Sequence, residues 1–373
     1  MTRALLFLSI ICSVTISMDS LAYKRTLSLM TYNLENLFDT LHDEGKEDYT
    51  FLPLVRKERD PKIRSFCYRI PNPHYRNECL NLDWSAPVLL NKIRNISKII
   101  RESNNGSGPD FLVLQEVENY NVLQKLINLG LVDEGYKELV IIEGPDKRGI
   151  DVAIVSRFPL KKDIKYHDID LSILNPSLAP EAVKKTRGIL EATFSINGKP
   201  LTIFANHWPS QGNPNATRFV AARVLMSAIT KHSNAFIVAG DFNTEKNDRQ
   251  NAIKDILTSE DSPEPLLDFE KEYAKGLDGQ VNSTAKGTHF YRGKWNSLDK
   301  IFISKRFSDD CEGKGCLNPY WESFHIIYEP EMLEEITYEE DGELIYEKIP
   351  KRFNPETGLG ASDHLPVLVR FSL

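Results

Sequence analysis

Short apolar or β-branched runs recur along the chain at residues 27–32, 111–114, 152–155, 190–194, 201–205, 236–239, 301–304 and 365–371. Each is four to seven residues long, the usual length of a strand. Helical spacing intervenes twice. Leu89, Ile93, Ile96 and Ile100 fall on one helix face shortly before Pro109-Asp110, and Phe219, Ala222, Leu225, Met226 and Ile229 fall on another. No internal repeat or long linker interrupts the pattern. Strands outnumber helices and run through the whole chain, which predicts an α/β (α+β) fold of two packed sheets with helices outside, in one domain over residues 23–373.

The chain has 373 residues, of which 41% are hydrophobic and 27% charged, so disorder and coiled coil are excluded as its global description. The net charge of −7 at first disfavours a polyanionic partner. Its distribution changes that reading, because residues 329–347 hold nine acidic residues and no Lys or Arg, leaving +2 on the remainder. Asp341-Gly342 suits a tight turn between two β-rich stretches, which predicts an exposed acidic hairpin there.

Met1-Thr-Arg3, an apolar stretch from Ala4 to Ser17, and Ser20-Leu21-Ala22 have the form of a secretory signal peptide over residues 1–22. No later apolar run is long enough to span a membrane. A secreted or periplasmic protein is therefore expected, with nothing calling for an obligate protein partner and a monomer as the expectation. Beyond Cys12 there are four cysteines. In an exported chain they favour two disulfides, with Cys67–Cys79 and Cys311–Cys316 the simplest of three connectivities; a zinc site would lack His partners at finger-like spacing. The first pair lies in a stretch rich in Pro, Arg and Asn at residues 49–84, which reads as a pinned surface excursion.

Polar residues cluster where the predicted strands end. Residues 27–32 run into Asn33-Leu-Glu35-Asn36, 111–114 into Gln115-Glu116, 201–205 into Asn206-His207-Trp-Pro-Ser210, and 236–239 into Gly240-Asp241-Phe242-Asn243. Ser297-Leu298-Asp299 and Ser362-Asp363-His364 precede strands. Each cluster alone has a plain explanation: Asp-x-Asn caps turns, and a lone histidine is commonly a satisfied core residue. Jointly they place hard oxygen donors, suited to Mg²⁺, Mn²⁺ or Ca²⁺, beside two histidines free to handle protons. No Gly-x-Ser-x-Gly elbow, P-loop, dinucleotide fingerprint or His-Glu-x-x-His helix is present, so phosphoester hydrolysis is the chemistry that fits.

Taken in order, Tyr32-Asn33-Leu34-Glu35-Asn36, Leu114-Gln115-Glu116, Arg187-Gly188, Asn206-His207-Trp208-Pro209-Ser210, Gly240-Asp241-Phe242-Asn243, Ser297-Leu298-Asp299 and Ser362-Asp363-His364 resemble the endonuclease/exonuclease/phosphatase superfamily, with its deoxyribonuclease I-like fold. Arg148-Gly149-Ile-Asp151 and the His-Trp-Pro-Ser form are similar to a branch of bacterial secreted nuclease-like proteins. The resemblance implies a four-layer sandwich, with Asn33, Glu116 and Asp363 as metal ligands. It implies catalytic roles for His207, Asp241, Asn243, Asp299 and His364: Asp241 orienting or deprotonating water, Asp299 holding His364, and Asn243 on a phosphate oxygen or second ion. Arg187 and Asn206 would bind substrate phosphate, and Glu35 would be a ligand or bond a neighbouring loop.

Three functions follow. A metal-dependent nuclease acting on DNA or RNA is the first, with Lys184-Lys185 as a local basic candidate. A phospholipid, sphingomyelin or small phosphoester hydrolase is the second, with Trp208 equally a lipid contact or a packing residue. A catalytically silent binding protein is the third, disfavoured by the complete catalytic set.

Overall fold

The computed structural model describes residues 26–161, 164–175, 186–276, 285–307, 317–340 and 342–373. The expected signal segment, Lys184, Lys185, Asp341, Cys311 and Cys316 lie outside them. One six-stranded sheet contains β1 (Thr26–Leu37), β2 (Phe111–Val117), β3 (Glu138–Ile141), β4 (Asp151–Ser156), β13 (Asn318–Ile326) and β16 (Val367–Ser372), in the order β13-β16-β1-β2-β4-β3. The other contains β5 (Lys165–His167), β6 (Ile189–Ile196), β7 (Lys199–His207), β8 (Phe236–Asp241), β9 (Leu266–Asp268) and β12 (Asp299–Ser304), in the order β5-β6-β7-β8-β12-β9. Two hairpins stand outside: β10 (His289–Tyr291) with β11 (Lys294–Asn296), and β14 (Leu333–Glu340) with β15 (Glu343–Pro350).

The two sheets share one plan. In each, a single parallel pair, β1 with β2 or β7 with β8, sits among antiparallel neighbours. A parallel pair requires a crossover, and a helix supplies it both times. In the first sheet, short helices α1 (Leu54–Arg59), α2 (Pro61–Tyr68) and α3 (Pro73–Asn81) lead into the long α4 (Ala86–Gly106), which returns the chain to β2. Helix α5 (Tyr120–Gly130) follows β2, α6 (Ala216–Ile229) joins β7 to β8, and α7 (Phe269–Gly276) follows β9. Residues 49–84 thus form three helices around a small apolar centre of Leu52, Ile63, Cys67 and Cys79, with the expected Cys67–Cys79 disulfide in place.

Strand alternation sorts side chains between layers. In β7, Leu201, Ile203 and Ala205 join the core between the sheets, whereas Phe204 joins the cluster beneath α6. In the facing sheet, Phe111 meets Phe194 edge-on at 5.1 Å, so Phe111, Val113 and Gln115 look across the interface. Burying each large apolar side chain here contributes on the order of 1.5–3 kcal/mol. The acidic segment forms the expected hairpin, with Gly342 at φ 81° in its turn. No helix among the described residues is long and apolar enough to cross a membrane.

Candidate active site

Within each sheet the parallel strands end on one side, and contacts of Asn33 with Asp241 and of Glu116 with His207 show that the carboxyl ends of β1, β2, β7 and β8 open onto one rim. Antiparallel β12 and the segment before β16 begin at that same rim. Register then brings the chemistry together: His207 pairs with Asp241 and Asp241 with Asp299, making one row across β7, β8 and β12. All three continue the inward-facing positions of their strands. Gly240 permits this closeness, since a Cβ there would lie 1.9 Å from Asn206 O and its φ is 144°.

Across the gap, Asn33 Nδ2 donates to Asp241 Oδ2 at 3.2 Å, tying the two sheets at the rim. Asp241 Oδ2 lies 3.6 Å from His207 Nε2 and 4.0 Å from His364 Nε2. Asp299 Oδ2 accepts from His364 Nδ1 at 2.7 Å, which orients the ring and turns Nε2 towards Asp241 and Asp363 Oδ1, the latter at 3.9 Å. Glu116 Oε1 is 3.9 Å from His207 Nε2, and its Oε2 accepts from the Asn36 N–H at 2.9 Å. The Asn243 N–H donates to Asp241 Oδ1 at 2.9 Å, while its side-chain amide donates to Trp208 O at 3.1 Å.

Backbone strain concentrates here. Glu35, Asn36, Glu116 and Asn243 have φ of 49°, 62°, 60° and 47°, the left-handed region that costs a non-glycine residue about 1–3 kcal/mol. The ladder shifts register between Asn33 and Leu37 and between Gln115 and Val117. These bulges turn Glu35 and Glu116 away from simple alternation. Glu35 is not directed at the cluster of acids: its carboxylate accepts from Arg352 Nε at 2.6 Å and the Phe353 N–H at 3.3 Å, so it bonds a neighbouring loop. Arg352 also reaches Asp363 Oδ2 at 3.5 Å. Lys92, fully buried on α4, donates to Glu35 O at 2.8 Å and Ala361 O at 3.2 Å, linking the β1 end to the segment that carries Asp363 and His364.

Electrostatics separate the two histidines. Burial opposes the charged form of both. For His364 the Asp299 charge and hydrogen bond, followed by Asp241 and Asp363, outweigh burial and hold its pKa well above the ordinary value. For His207, burial is joined by Arg187, Arg148 and His364, which hold it well below. Arg187 Nη2 donates to His207 Nε2 at 2.7 Å, so the neutral ring carries its proton on Nδ1. Asp241 is pushed up to about 7, first by burial and then by Asp299, against the opposing His364.

Two expectations change, for Asn206 and Arg187, and the alternative left open for Trp208 is decided. Asn206 does not face a phosphate: it is fully buried, donates to Phe204 O at 3.0 Å and accepts from Trp208 Nε1 at 3.1 Å. Trp208 is itself fully buried against Phe242 and offers no lipid contact. Arg187 is buried with its fork engaged by His207 Nε2, the His207 and Trp208 carbonyls and Asp146, so it holds His207 rather than presenting an open fork to a phosphate. Arg148, by contrast, is exposed and close enough to act on His207. Neither Arg148 nor His289, whose ring centroid is 4.6 Å from that of His364, was marked by a polar cluster at the end of an apolar run.

The sequence profile described as the Endonuclease/Exonuclease/phosphatase family matches residues 72–372. This chain belongs to that family. Its two mixed sheets flanked by helices are the family fold, and its chemical class is that of the superfamily's phosphoesterases. The endonuclease/exonuclease/phosphatase from Bacteroides vulgatus is 16% identical, covering 94% of this chain and 100% of that one at a TM-score of 0.51. Humanized D. rerio TDP2 is 15% identical, covering 93% and 99% at 0.51. D. rerio TDP2 complexed with single-strand DNA product is 16% identical, covering 93% and 99% at 0.50. At these identities the likeness to the family's solved structures is one of fold. A sequence comparison with curated proteins gives no match.

Proposed function

We propose that the protein is an exported, divalent-metal-dependent phosphodiesterase of the bacterial secreted nuclease-like branch, a monomer that hydrolyses phosphodiester bonds in DNA or RNA by attack of water. The observation that carries this reading is the single rim on which Asn33, Glu116, His207, Asp241, Asp299, Asp363 and His364 meet. The nucleic-acid substrate draws support from the neighbouring TDP2 complexed with single-strand DNA product.

Asn33, Glu116 and Asp363 offer hard oxygens among several crowded carboxylates, a donor set that fits Mg²⁺, with Mn²⁺ and Ca²⁺ as alternatives. Such an ion, when bound, polarises a phosphoryl oxygen. Asp241, fixed by the Asn243 and Asn33 donors, accepts the proton of the attacking water. His364, held charged by Asp299, donates to the phosphate or to the leaving oxygen. His207, neutral and held by Arg187, lines the opposite side between Glu116 and Asp241. Arg148 supplies the exposed positive charge for a substrate phosphate.

A second reading, a small or terminal phosphoester as substrate, is favoured by the acidic hairpin. Its base is fastened to the rim, where Ala361 N–H donates to Lys351 O at 3.0 Å, one residue before Arg352. The test is a panel of plasmid, single-stranded DNA, RNA, sphingomyelin and a bis-aryl phosphodiester, with Mg²⁺, Mn²⁺, Ca²⁺ or EDTA. Nicking abolished by EDTA supports the nuclease; cleavage of the small ester or lipid without nicking replaces it by the second reading.

A further inference from the structure

We infer that His289, Asp363 and His364 form a second metal site, selective for borderline ions such as Zn²⁺, whose occupation switches the enzyme off. His289 opens β10, and its backbone bridges that of His364, so the two imidazoles are brought together from separate parts of the chain. One ligand atom from each of His289, Asp363 and His364 lies within 4.8 Å of the others. Three protein ligands with a water completing a tetrahedron is a common arrangement for zinc.

The surroundings fit this use. Asp299 holds His364 Nδ1 at 2.7 Å, leaving Nε2 for an ion; a carboxylate behind a histidine is the usual support of a metal-binding imidazole. Asp363 divides its oxygens in the same sense: Oδ2 faces Arg352 Nη2 at 3.5 Å, while Oδ1 faces His364 Nε2 at 3.9 Å. His289 Nδ1 is buried with no hydrogen-bond partner among the described residues, which a bound ion would satisfy. Two nitrogens and one oxygen suit Zn²⁺, Ni²⁺ or Cu²⁺, whereas the oxygen set of Asn33 and Glu116 suits Mg²⁺. Donor type therefore sorts the two kinds of ion between adjacent positions. An ion on His364 Nε2 takes the lone pair that would carry the proton, and Asp363 is drawn from the Mg²⁺ side, so turnover stops.

The inhibitory consequence rests on the proposed phosphodiesterase reading; the binding itself does not. EDTA-treated full-length protein, in saturating Mg²⁺, is titrated with Zn²⁺ by calorimetry and with Co²⁺ by visible absorption, for wild type, His289→Phe and His289→Gln. The phenylalanine keeps a ring against His364, and the glutamine guards against a packing defect. Wild type is expected to bind one Zn²⁺, and both variants to bind it about 100-fold more weakly or worse while keeping Mg²⁺-supported turnover within about twofold. Zn²⁺ inhibition should be lost in the variants, while in wild type raised Mg²⁺, which shares Asp363, should only move the Zn²⁺ midpoint upward. Equal Zn²⁺ binding by wild type and variants, or no Zn²⁺ binding by wild type, would each overturn the site. Absence of turnover on every substrate would instead remove the phosphodiesterase reading and leave the binding data to decide the site.

Discussion

Replacing Asp299 by Asn removes one charge from the rim while keeping the shape of the side chain. Asp299 is buried, and its Oδ2 accepts from His364 Nδ1 at 2.7 Å. The amide oxygen of Asn still accepts that proton, so the ring keeps its orientation, but the bond changes from charge-assisted to neutral. Charge-assisted bonds contribute roughly 1.5–3 kcal/mol and neutral ones roughly 0.5–1.5, a difference of about 1–2 kcal/mol. The His364 pKa, held up first by Asp299 against burial, should therefore fall. The same loss in the transition state slows turnover roughly five- to thirtyfold. With His364 as the proton donor, activity fails as pH rises through its pKa, so the alkaline limb of kcat should move to lower pH. The assay is a pH–rate profile on a bis-aryl phosphodiester with saturating Mg²⁺, thermal unfolding checking that the fold survives. Wild-type turnover with an unmoved alkaline limb would refute the assignment of Asp299 as the group that charges His364.

Three further outcomes follow from other parts of the molecule. Gly240→Ala drives a Cβ to 1.9 Å from Asn206 O, and should lower the urea midpoint by the equivalent of about 3 kcal/mol or more, or abolish folding; a midpoint equal to wild type would contradict the close approach of β7 and β8. Burial pushes Glu118 up to about 9 from an ordinary 4.5, so its contribution to stability is fully present below pH 4.5 and is lost as pH rises towards 9. Glu118→Gln should therefore raise the Tm relative to wild type at pH 8 and not at pH 4.5; the reverse order would contradict it. Arg148→Ala should raise KM for a charged substrate about tenfold with little change in kcat, as loss of an exposed phosphate contact does, and an unchanged KM would remove Arg148 from binding.

Strand ends were readable in the sequence because each inward-facing apolar series gives way to a polar residue at the rim. Ala205 predicts the side of His207 and Ala239 that of Asp241 by period two alone. The same rule puts Asn206 on the opposite face, where the structure finds it spent on Phe204 and Trp208. Glu116 breaks the rule. Alternation turns Gln115 to the inter-sheet face, where it bonds Thr31 of the neighbouring strand β1, and would send Glu116 outward; a left-handed backbone at Glu116 turns it back towards His207. Such a bulge has no composition signal. The commitment of Arg187 to His207 was hidden for another reason, since it depends on where a loop outside the sheet register folds. His289 and Arg148 lie on a three-residue strand and a turn, too short for periodicity to mark.

The central claim is that Glu116 helps hold a divalent cation beside His207, Asp241 and His364 for hydrolysis of a phosphodiester. It is tested most directly by titrating Mg²⁺ into EDTA-treated wild type and Glu116→Gln while following phosphodiester cleavage. Wild type should be silent without metal and rise to saturation, and Glu116→Gln should need at least about 100-fold more Mg²⁺ or remain silent. Cleavage by wild type in EDTA, or the same Mg²⁺ midpoint and maximal rate in both proteins, would contradict the account.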